Sequence, residues 1–119
     1  MTTILYGIPN CDTVKKARAW LAQHGGDARF HDLRKDGLDA GRVARWHAAV
    51  GDRLVNRRGT TWRGLDADTQ AGAETPDGTQ ALALAFPALI KRPVVEWPDG
   101  TISVGFDAKE WSERALSGV

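Results

Sequence analysis

One cysteine, Cys11, is the residue of this sequence whose type and position best suit covalent chemistry. It lies in residues 7–13, GIPNCDT, between a strand-like run and a helix-like run. Free backbone N–H groups and the positive end of the helix dipole lie at such a junction, and both favour a thiolate over a thiol. Lys15 and Lys16, in the first turn or so of the helix, add positive charge, whereas the carboxylate of Asp12 opposes it. We therefore expect Cys11 to be a reactive thiol.

The alternative is an inert cysteine, because free cysteines are often buried and behave as small hydrophobic residues. The neighbours of this cysteine are proline, asparagine, aspartate and threonine, which suit a polar loop better than a core. A metal site is not expected, because there is no second thiol and the three histidines, His24, His31 and His47, are scattered along the chain.

The composition limits the class of protein. A chain of 119 residues is expected to form one domain, and its 42% hydrophobic and 26% charged residues are close to a globular average. Sixteen basic and fifteen acidic residues give a formal charge of +1, so net charge does not favour a nucleic-acid or membrane-surface partner. The N-terminus does not resemble a signal peptide, no apolar run is long enough to span a membrane, and a single cysteine excludes an internal disulfide. We expect a cytoplasmic protein.

The first third of the chain has a strand–helix–strand pattern. Residues 2–6 form a β-prone run that Gly7 and Pro9 end. Apolar residues then recur at helical spacing over residues 13–24, with Asp12 or Thr13 as the candidate N-cap. Residues 28–33 are a weaker candidate strand. This order favours a parallel pair of strands with a right-handed crossover.

The rest of the sequence predicts helices and then a hairpin. Asp39 is expected to cap a helix with apolar residues Val43, Trp46 and Val50 on one face, and residues 79–86 are expected to form a helix closed by Pro87. Residues 54–64 are interpreted as a helix end running into a basic loop. Residues 93–97 and 101–104 flank a Pro-Asp-Gly turn that is typical of a β-hairpin, and Asp107 with Glu110 forms a capping box before a last helix. These elements predict an α/β protein with a mixed sheet.

Four segments of the sequence resemble the arsenate reductase family of thioredoxin-like proteins, which includes the ArsC, Spx and YffB groups. They are residues 6–17 (YGIPNCDTVKKA), residues 56–59 (NRRG) with Trp62, residues 89–93 (LIKRP), and residues 100–106 (GTISVGF), where Gly100-Thr101 and residues 104–106 carry the match. The segments occur in the family's order over nearly the whole chain. The chain is most similar to the YffB-like branch, whose members look like glutathione-dependent thiol reductases.

The resemblance implies a thioredoxin-like four-stranded mixed sheet, with a helical insertion at about residues 39–90 between a βαβ half and a ββα half of one domain, 1–119. It implies that Cys11 is the nucleophile and that a cis peptide bond joins Arg92 and Pro93 beside the thiol. No bound cofactor is implied, and glutathione is the expected co-substrate. The residues expected to bind substrate or glutathione are Asn10, Asp12, Thr13, Lys15, Asn56, Arg57, Arg58, Arg92 and Pro93.

The family resemblance also carries expectations about function and partners. The implied function is that of a monothiol oxidoreductase that acts on an unidentified oxidised substrate, with glutathione and glutaredoxin as candidate partners. We expect a monomer that binds neither nucleic acid nor membrane. Two alternatives stay open: an adaptor that binds a larger protein, as Spx-type regulators do, and an arsenate reductase.

The sequence departs from the arsenate reductase pattern at several positions. Of the three arginines that arsenate reductases of this group place around the cysteine, Arg92 matches one, Asn56 takes the place of the second with Arg57 adjacent, and Gly105 takes the place of the third. Gly7 replaces the family's histidine before the cysteine, and Val14 replaces its serine after it. Val14 also stands where the redox-sensing Spx proteins have a second cysteine, so this chain has no internal dithiol.

Overall fold

The first and last parts of the chain form a four-stranded mixed sheet. The computed structural model describes residues 3–24 and 28–117, with side chains to residue 114. Strands β1 (Thr3–Gly7), β2 (Ala28–Asp32), β3 (Val94–Glu96) and β4 (Ile102–Val104) are arranged in the order β2-β1-β3-β4. β1 is parallel to β2 and antiparallel to β3, which is antiparallel to β4. The predicted mixed sheet is confirmed; Thr2, the first residue of the predicted strand, lies outside the described residues.

The chain divides into two units. The sheet unit consists of Met1–Leu33 and Arg92–Val119, and the helical unit consists of Arg34–Lys91. No helix in the described parts of the chain is long and apolar enough to cross a membrane.

Helix α1 (Asp12–Gln23) connects β1 to β2 and forms because its apolar residues recur at helical spacing. Val14, Ala17 and Leu21 are buried, as their spacing predicts. The predicted cap, Asp12 or Thr13, is wrong: Cys11 is the N-cap residue and Asp12 is the first residue of the helix. The helix starts early because the turn before it already closes at Cys11, whose N–H donates to the carbonyl of Ile8 (3.3 Å).

One face of the sheet packs against α1 and against α6 (Ala108–Ser117). The buried residues of this sheet-unit core are Leu5, Val14, Ala17, Trp20, Leu21, Val95 and Trp111. Trp111 meets the rings of Trp20, Trp97 and Phe106 edge-to-face, with centroid distances of 5.6, 5.0 and 4.8 Å. Such contacts are worth about 0.5–1.5 kcal/mol each beyond their buried area, so the aromatic cluster fixes α6 on the sheet.

The predicted hairpin is present, and so is the Asp107 half of the predicted capping box, whereas the Glu110 side chain bonds Arg114 instead of the Asp107 N–H. Gly100 adopts φ +89° in the turn between β3 and β4, a conformation that favours glycine. The carboxylate of Asp107 accepts hydrogen bonds from the backbone N–H of Lys109 (3.0 Å) and Glu110 (3.2 Å), which caps α6. The carboxylate of Glu110 accepts a hydrogen bond from Arg114 (3.2 Å).

The helical unit contains four α-helices and three short 3₁₀ turns. They are α2 (Ala40–Val50), α3 (Thr60–Arg63), α4 (Ala67–Ala71) and α5 (Pro76–Ala85). The predicted cap of α2 is confirmed, because the Asp39 carboxylate accepts a hydrogen bond from the Arg42 N–H (2.7 Å). The Gln80 side chain of α5 meets the His47 ring of α2 (3.1 Å), so these two helices are linked by a polar contact.

Two predictions for the helical unit are wrong in detail. The segment 54–64 is not a helix end followed by a loop, because α2 already ends at Val50, Val55 pairs with Ile90 in an isolated antiparallel bridge, and Thr60–Arg63 is helical. Helix α5 begins at Pro76 rather than at residue 79, because Thr75 caps it through the Gly78 N–H (3.1 Å) and proline is well tolerated at the first helical position.

Candidate functional site

Cys11 is the N-cap residue of α1. Its backbone is extended (φ −92°, ψ 124°), and its carbonyl accepts the first helical hydrogen bond, from the Lys15 N–H (2.9 Å). The side chain of Cys11 makes no capping hydrogen bond to the helix. The first N–H groups of a helix have no partner within the helix, so they face the region of the Cys11 side chain and are available to an anion there. A thiolate at this position meets the positive end of a helix of 12 residues.

Cys11 contacts the core of the sheet unit and is also partly exposed to solvent. The residue is half-buried and packs against the sheet-unit core. The alternative of a sealed core cysteine is therefore not what the structure shows, since a residue of that kind is fully enclosed by apolar neighbours. A half-buried thiol at a helix N-terminus is accessible to a disulfide substrate and has a fixed position from which to attack it.

Gly7 and Val14 bring the start of α1 close to the end of β1. A Cβ atom added at Gly7 would lie 2.7 Å from Cγ2 of Val14, closer than carbon atoms pack. Val14 is fully buried, so its side chain has no free space into which it could retreat. The close approach therefore depends on the absence of a side chain at position 7. Sequence reasoning treated Gly7 as the residue that ends the strand and as a departure from the family, and it missed this positioning role. The signal was a glycine between a strand and a helix, which often marks a close approach of backbone.

The predicted cis peptide bond between Arg92 and Pro93 is confirmed. Pro93 is buried, and its carbonyl accepts a hydrogen bond from the Gly105 N–H (2.9 Å). Tyr6 pairs with Val94 in the sheet, so continuing this antiparallel register by one residue brings Pro93 opposite Gly7, at the end of β1 that leads to Cys11. The two features that the sequence singled out thus lie at the same end of the sheet.

The polar residues of the site are largely uncommitted. Asn10, Asp12, Thr13 and Lys15 are exposed around the start of α1, and Arg92 is half-buried. None of their side chains makes a hydrogen bond or an ion pair with another residue of the described ranges 3–24 and 28–117. Solvated side chains of this kind are available for a ligand, and an arginine suits a carboxylate through paired hydrogen bonds.

The three site residues predicted in the helical unit differ in whether their side chains already bind other residues. Asn56 forms a turn, in which its side-chain oxygen accepts a hydrogen bond from the Arg58 N–H (3.2 Å). The Arg57 guanidinium donates to the carbonyl of Ala73 (3.3 Å) and lies 5.3 Å from the ring centroid of Trp62. Arg57 thus supports the helical unit, whereas the exposed guanidinium of Arg58 makes no contact of this kind with the part of the chain that is described.

Among the described residues, two carboxyl groups have a perturbed pKa, and neither was predicted to belong to the site. Hydrogen bonds from Thr69 lower the pKa of Asp66, and hydrogen bonds from the side chain and backbone of Thr101, with a smaller contribution from the charge of Arg114, lower the pKa of Asp99. Both carboxylates are exposed and stabilise local turns. No group of three or more potential metal ligands occurs among residues 3–24 and 28–117.

Comparison with known proteins relates the chain to one family over nearly its whole length. The sequence pattern of the ArsC family matches residues 6–114. An uncharacterized protein of Haemophilus influenzae is 44% identical over 108 residues, which are 90% of this chain and 93% of that protein. A solved structure of a protein named YffB is 42% identical, covers 94% of this chain and 97% of its own, and superimposes with a TM-score of 0.89. An arsenate reductase (ArsC) related protein of Brucella melitensis is 44% identical, covers 95% of this chain and 93% of its own, and has a TM-score of 0.75.

Proposed function

The chain belongs to the ArsC family, and from that premise we propose that it is a monothiol oxidoreductase in which Cys11 exchanges disulfides with glutathione as the second thiol. The single observation that carries the proposal is the half-buried Cys11 at the N-terminus of α1, where its side chain makes no capping hydrogen bond. A thiolate is the nucleophile of disulfide exchange, and one protein cysteine is sufficient when an external thiol completes the cycle.

The proposed reaction has two balanced steps. In the first, the Cys11 thiolate attacks the glutathione sulfur of a mixed disulfide, a new S–S bond forms between the protein and glutathione, and the substrate leaves as a thiolate with the electron pair of the broken bond. In the second, the thiolate of another glutathione attacks the glutathione sulfur of the adduct, releases the Cys11 thiolate and forms oxidised glutathione. A glutaredoxin is an alternative acceptor in the second step.

The residues around Cys11 suit a glutathione ligand. Glutathione carries two carboxylates and one ammonium group, so cations and anions are both needed. Lys15 and Arg92 offer positive charge for a carboxylate, and Asp12 offers a carboxylate for the ammonium group. The backbone N–H groups after Cys11 stabilise negative charge on sulfur. In the helical unit, the Arg57 guanidinium is bound to the carbonyl of Ala73, so it is less available to any ligand than that of Arg58.

The packing of Gly7 and Val14 weighs against arsenate as the substrate. These residues stand where arsenate reductases of the family are expected to have a histidine and a serine, and the Val14 side chain fills the space that a side chain at position 7 would need. The position next to the thiol is therefore apolar where a hydrogen-bond donor to an oxyanion would be required. A disulfide sulfur has no such requirement.

A coupled assay tests the proposal. The protein is mixed with the cysteine–glutathione mixed disulfide, reduced glutathione and glutathione reductase, and oxidation of NADPH is followed. We expect turnover well above the uncatalysed rate, complete loss of it in Cys11→Ser, and no reduction of arsenate with glutathione and glutaredoxin. Turnover of arsenate, or equal rates with and without the cysteine, would contradict the proposal.

Tight binding of another protein by both the wild type and Cys11→Ser, without any exchange activity, would support the adaptor function instead. A cytoplasmic location remains the expectation for a protein that depends on glutathione.

A further inference from the structure

A depression lies between helix α1 and strand β2 within the sheet unit. It has a volume of about 280 Å³, and its lining includes the apolar residues Leu5, Leu21, Ala22 and Phe30 together with two arginines, Arg18 and Arg29. We call it the α1–β2 depression. The volume is at the lower end of the range for ligand pockets, so it suits one or two side chains better than a large cofactor. The proposed glutathione exchange makes no use of it.

Arg18 is held in a defined orientation at this depression. Its guanidinium carbon lies 4.2 Å from the centroid of the Phe30 ring, a cation–π contact. Among the residues that the structure describes, none makes a hydrogen bond or ion pair with this guanidinium, and no acidic one lines the depression. An arginine that stacks on a ring still has the N–H groups along its edge available for a carboxylate. The charge of the depression therefore complements an acidic group.

The depression lies on the same side of α1 as the thiol. Cys11, Lys15, Arg18 and Ala22 are spaced at i, i+4, i+7 and i+11, so they form one stripe along the helix. At about 1.5 Å per residue, Arg18 is about 10 Å from Cys11 along the helix axis and Ala22 is about 16 Å from it. An extended chain covers these distances in about three to five residues.

The edge of the sheet beside the depression is open. β2 is the outermost strand, and among the described residues it pairs with β1 alone. An edge strand offers backbone hydrogen bonds to an extended segment that lies alongside it, and an adjacent pocket for a side chain then provides specificity. Ala28 and Phe30 belong to this strand and also line the depression, so a single segment is able to use both.

On these grounds we infer that the α1–β2 depression is a docking site for an extended segment of a protein substrate, whose acidic and apolar residues lie three to five residues from its reactive cysteine. The inference rests on the proposed function and deepens it, because it assigns the oxidised substrate to a class: glutathionylated proteins with such a segment. The acidic side chain pairs with Arg18, and the apolar side chain packs on Leu21 and Phe30.

The inference is tested with synthetic peptides that carry glutathione on a cysteine. One hexapeptide has aspartate three residues and leucine five residues from the cysteine, with serine elsewhere; its matched control has asparagine and alanine at those positions. Both are made in the two chain directions, and the faster direction is used. The release of the peptide thiol is measured, and each rate is divided by the rate for the cysteine–glutathione disulfide with the same variant, which removes differences in the reactivity of Cys11.

We expect the Asp/Leu peptide to react about tenfold faster than its control, because one buried apolar side chain and one ion pair contribute. Arg18→Gln is expected to reduce this preference to about threefold or less, since the ion pair is lost. Lys16→Gln, which removes an exposed cation of the same helix outside the stripe, is expected to leave the preference unchanged. An independent measurement uses Cys11→Ser and a peptide with serine in place of cysteine: amide signals of Leu21, Ala22 and Phe30 should shift with the Asp/Leu peptide and not with the control.

The outcomes separate the two proposals. Equal normalised rates for the two peptides, together with a normal rate for the cysteine–glutathione disulfide, overturn the docking site and leave the exchange function intact. A preference that Arg18→Gln leaves unchanged shows that the acidic side chain does not pair with Arg18, and it also overturns the inference. If no disulfide reacts, the exchange function fails, and the inference fails with it. Dimerisation of the protein, or binding of a small carboxylate with no preference between peptides, would assign the depression to a different occupant.

Discussion

Several predicted site residues are used differently in the sheet unit and in the helical unit. In the sheet unit, the Cys11 side chain makes no capping hydrogen bond to its helix, and Arg92 makes no ion pair within the part of the chain that is described. In the helical unit, Arg57 binds the carbonyl of Ala73 and stacks on Trp62, and the side chain of Asn56 holds a turn. Of the predicted site residues, Cys11 and Arg92 of the first unit stay available, whereas Asn56 and Arg57 of the second stabilise their own unit. Residues of the same type at predicted site positions thus have different roles.

The two units also differ in what a side chain added at a glycine would meet. A Cβ at Gly7 would meet the side chain of Val14, while a Cβ at Gly78 would overlap the backbone carbonyl of Gly72. A side chain can be shortened by a second substitution, but the backbone cannot. A substitution at Val14 should therefore relieve the clash at position 7, whereas no side-chain substitution relieves the clash at position 78.

Gly78→Ala is expected to destabilise the helical unit by about 3 kcal/mol or more, because the added methyl group collides with backbone. Alanine would otherwise be the better helix former by about 1 kcal/mol, so the sign of the effect is diagnostic. Urea denaturation followed by tryptophan fluorescence measures the free energy of unfolding. Gly41→Ala, in α2 and with no contact closer than 3.4 Å, is the matched control and should be neutral or stabilising. Equal effects of the two substitutions would contradict the close approach at Gly78.

Gly7→Ala is expected to cost about 1–3 kcal/mol, and Val14→Ala should recover part of that cost because it removes the atoms that the new methyl group meets. The measurement is a double-mutant cycle on the free energy of unfolding. The double variant should be more stable than the sum of the single effects by about 1 kcal/mol. Strict additivity would show that the two residues do not limit the distance between β1 and α1.

Arg92→Ala should lower activity and leave stability unchanged, whereas Arg57→Ala should do the opposite. Arg92→Ala is expected to lower the rate of exchange with glutathione disulfides about tenfold with little change in stability, because the arginine is bound to no described neighbour. Arg57→Ala is expected to lower stability by about 1 kcal/mol, through the lost hydrogen bond and ring contact, with little change in rate. The assay is turnover alongside urea denaturation. A large loss of activity in Arg57→Ala with normal stability would move Arg57 into the site.

The smallest predicted effect concerns acid stability, and each unit supplies one residue for it. The pKa values of Asp99 in the sheet unit and Asp66 in the helical unit are lowered in the folded protein, chiefly by hydrogen bonds from Thr101 and Thr69. Each carboxylate therefore contributes stability that is present above its unfolded pKa of about 3.9 and is lost as the pH falls through the lower folded value. Asp99→Asn and Asp66→Asn should each flatten the decline of the urea midpoint below about pH 4. A steeper decline in either variant would contradict the direction of the shift.

Much of the sheet unit was predictable because its signals are local. The strand–helix–strand start, the Pro-Asp-Gly hairpin and the Asp107 cap follow from short patterns that the structure confirms. The N-cap of α1 was not predictable in this way. Aspartate and threonine are stronger cap formers than cysteine, but the hydrogen bond from Cys11 to Ile8 closes the turn one residue earlier.

The helical unit was harder to predict because its order depends on contacts between distant residues. The bridge between Val55 and Ile90 joins segments 35 positions apart in the sequence, and no local pattern indicates it. Helix α4 has five residues and none of them is buried, so it has no apolar periodicity to detect. The contacts of Arg57 with the Ala73 carbonyl and the Trp62 ring likewise form only in the folded chain. The sequence alone therefore left Arg57 as a candidate for binding a ligand.

The most direct test of the central claim is whether glutathione is transferred to Cys11. The reduced protein is incubated with oxidised glutathione at neutral pH, and its mass is measured intact and after digestion. We predict the addition of one glutathione per chain, located at Cys11, and its removal by excess reduced glutathione; Cys11→Ser should gain none. If Cys11 stays unmodified even under alkaline conditions, where an accessible thiol is ionised, the thiol at the start of α1 is not the nucleophile described here.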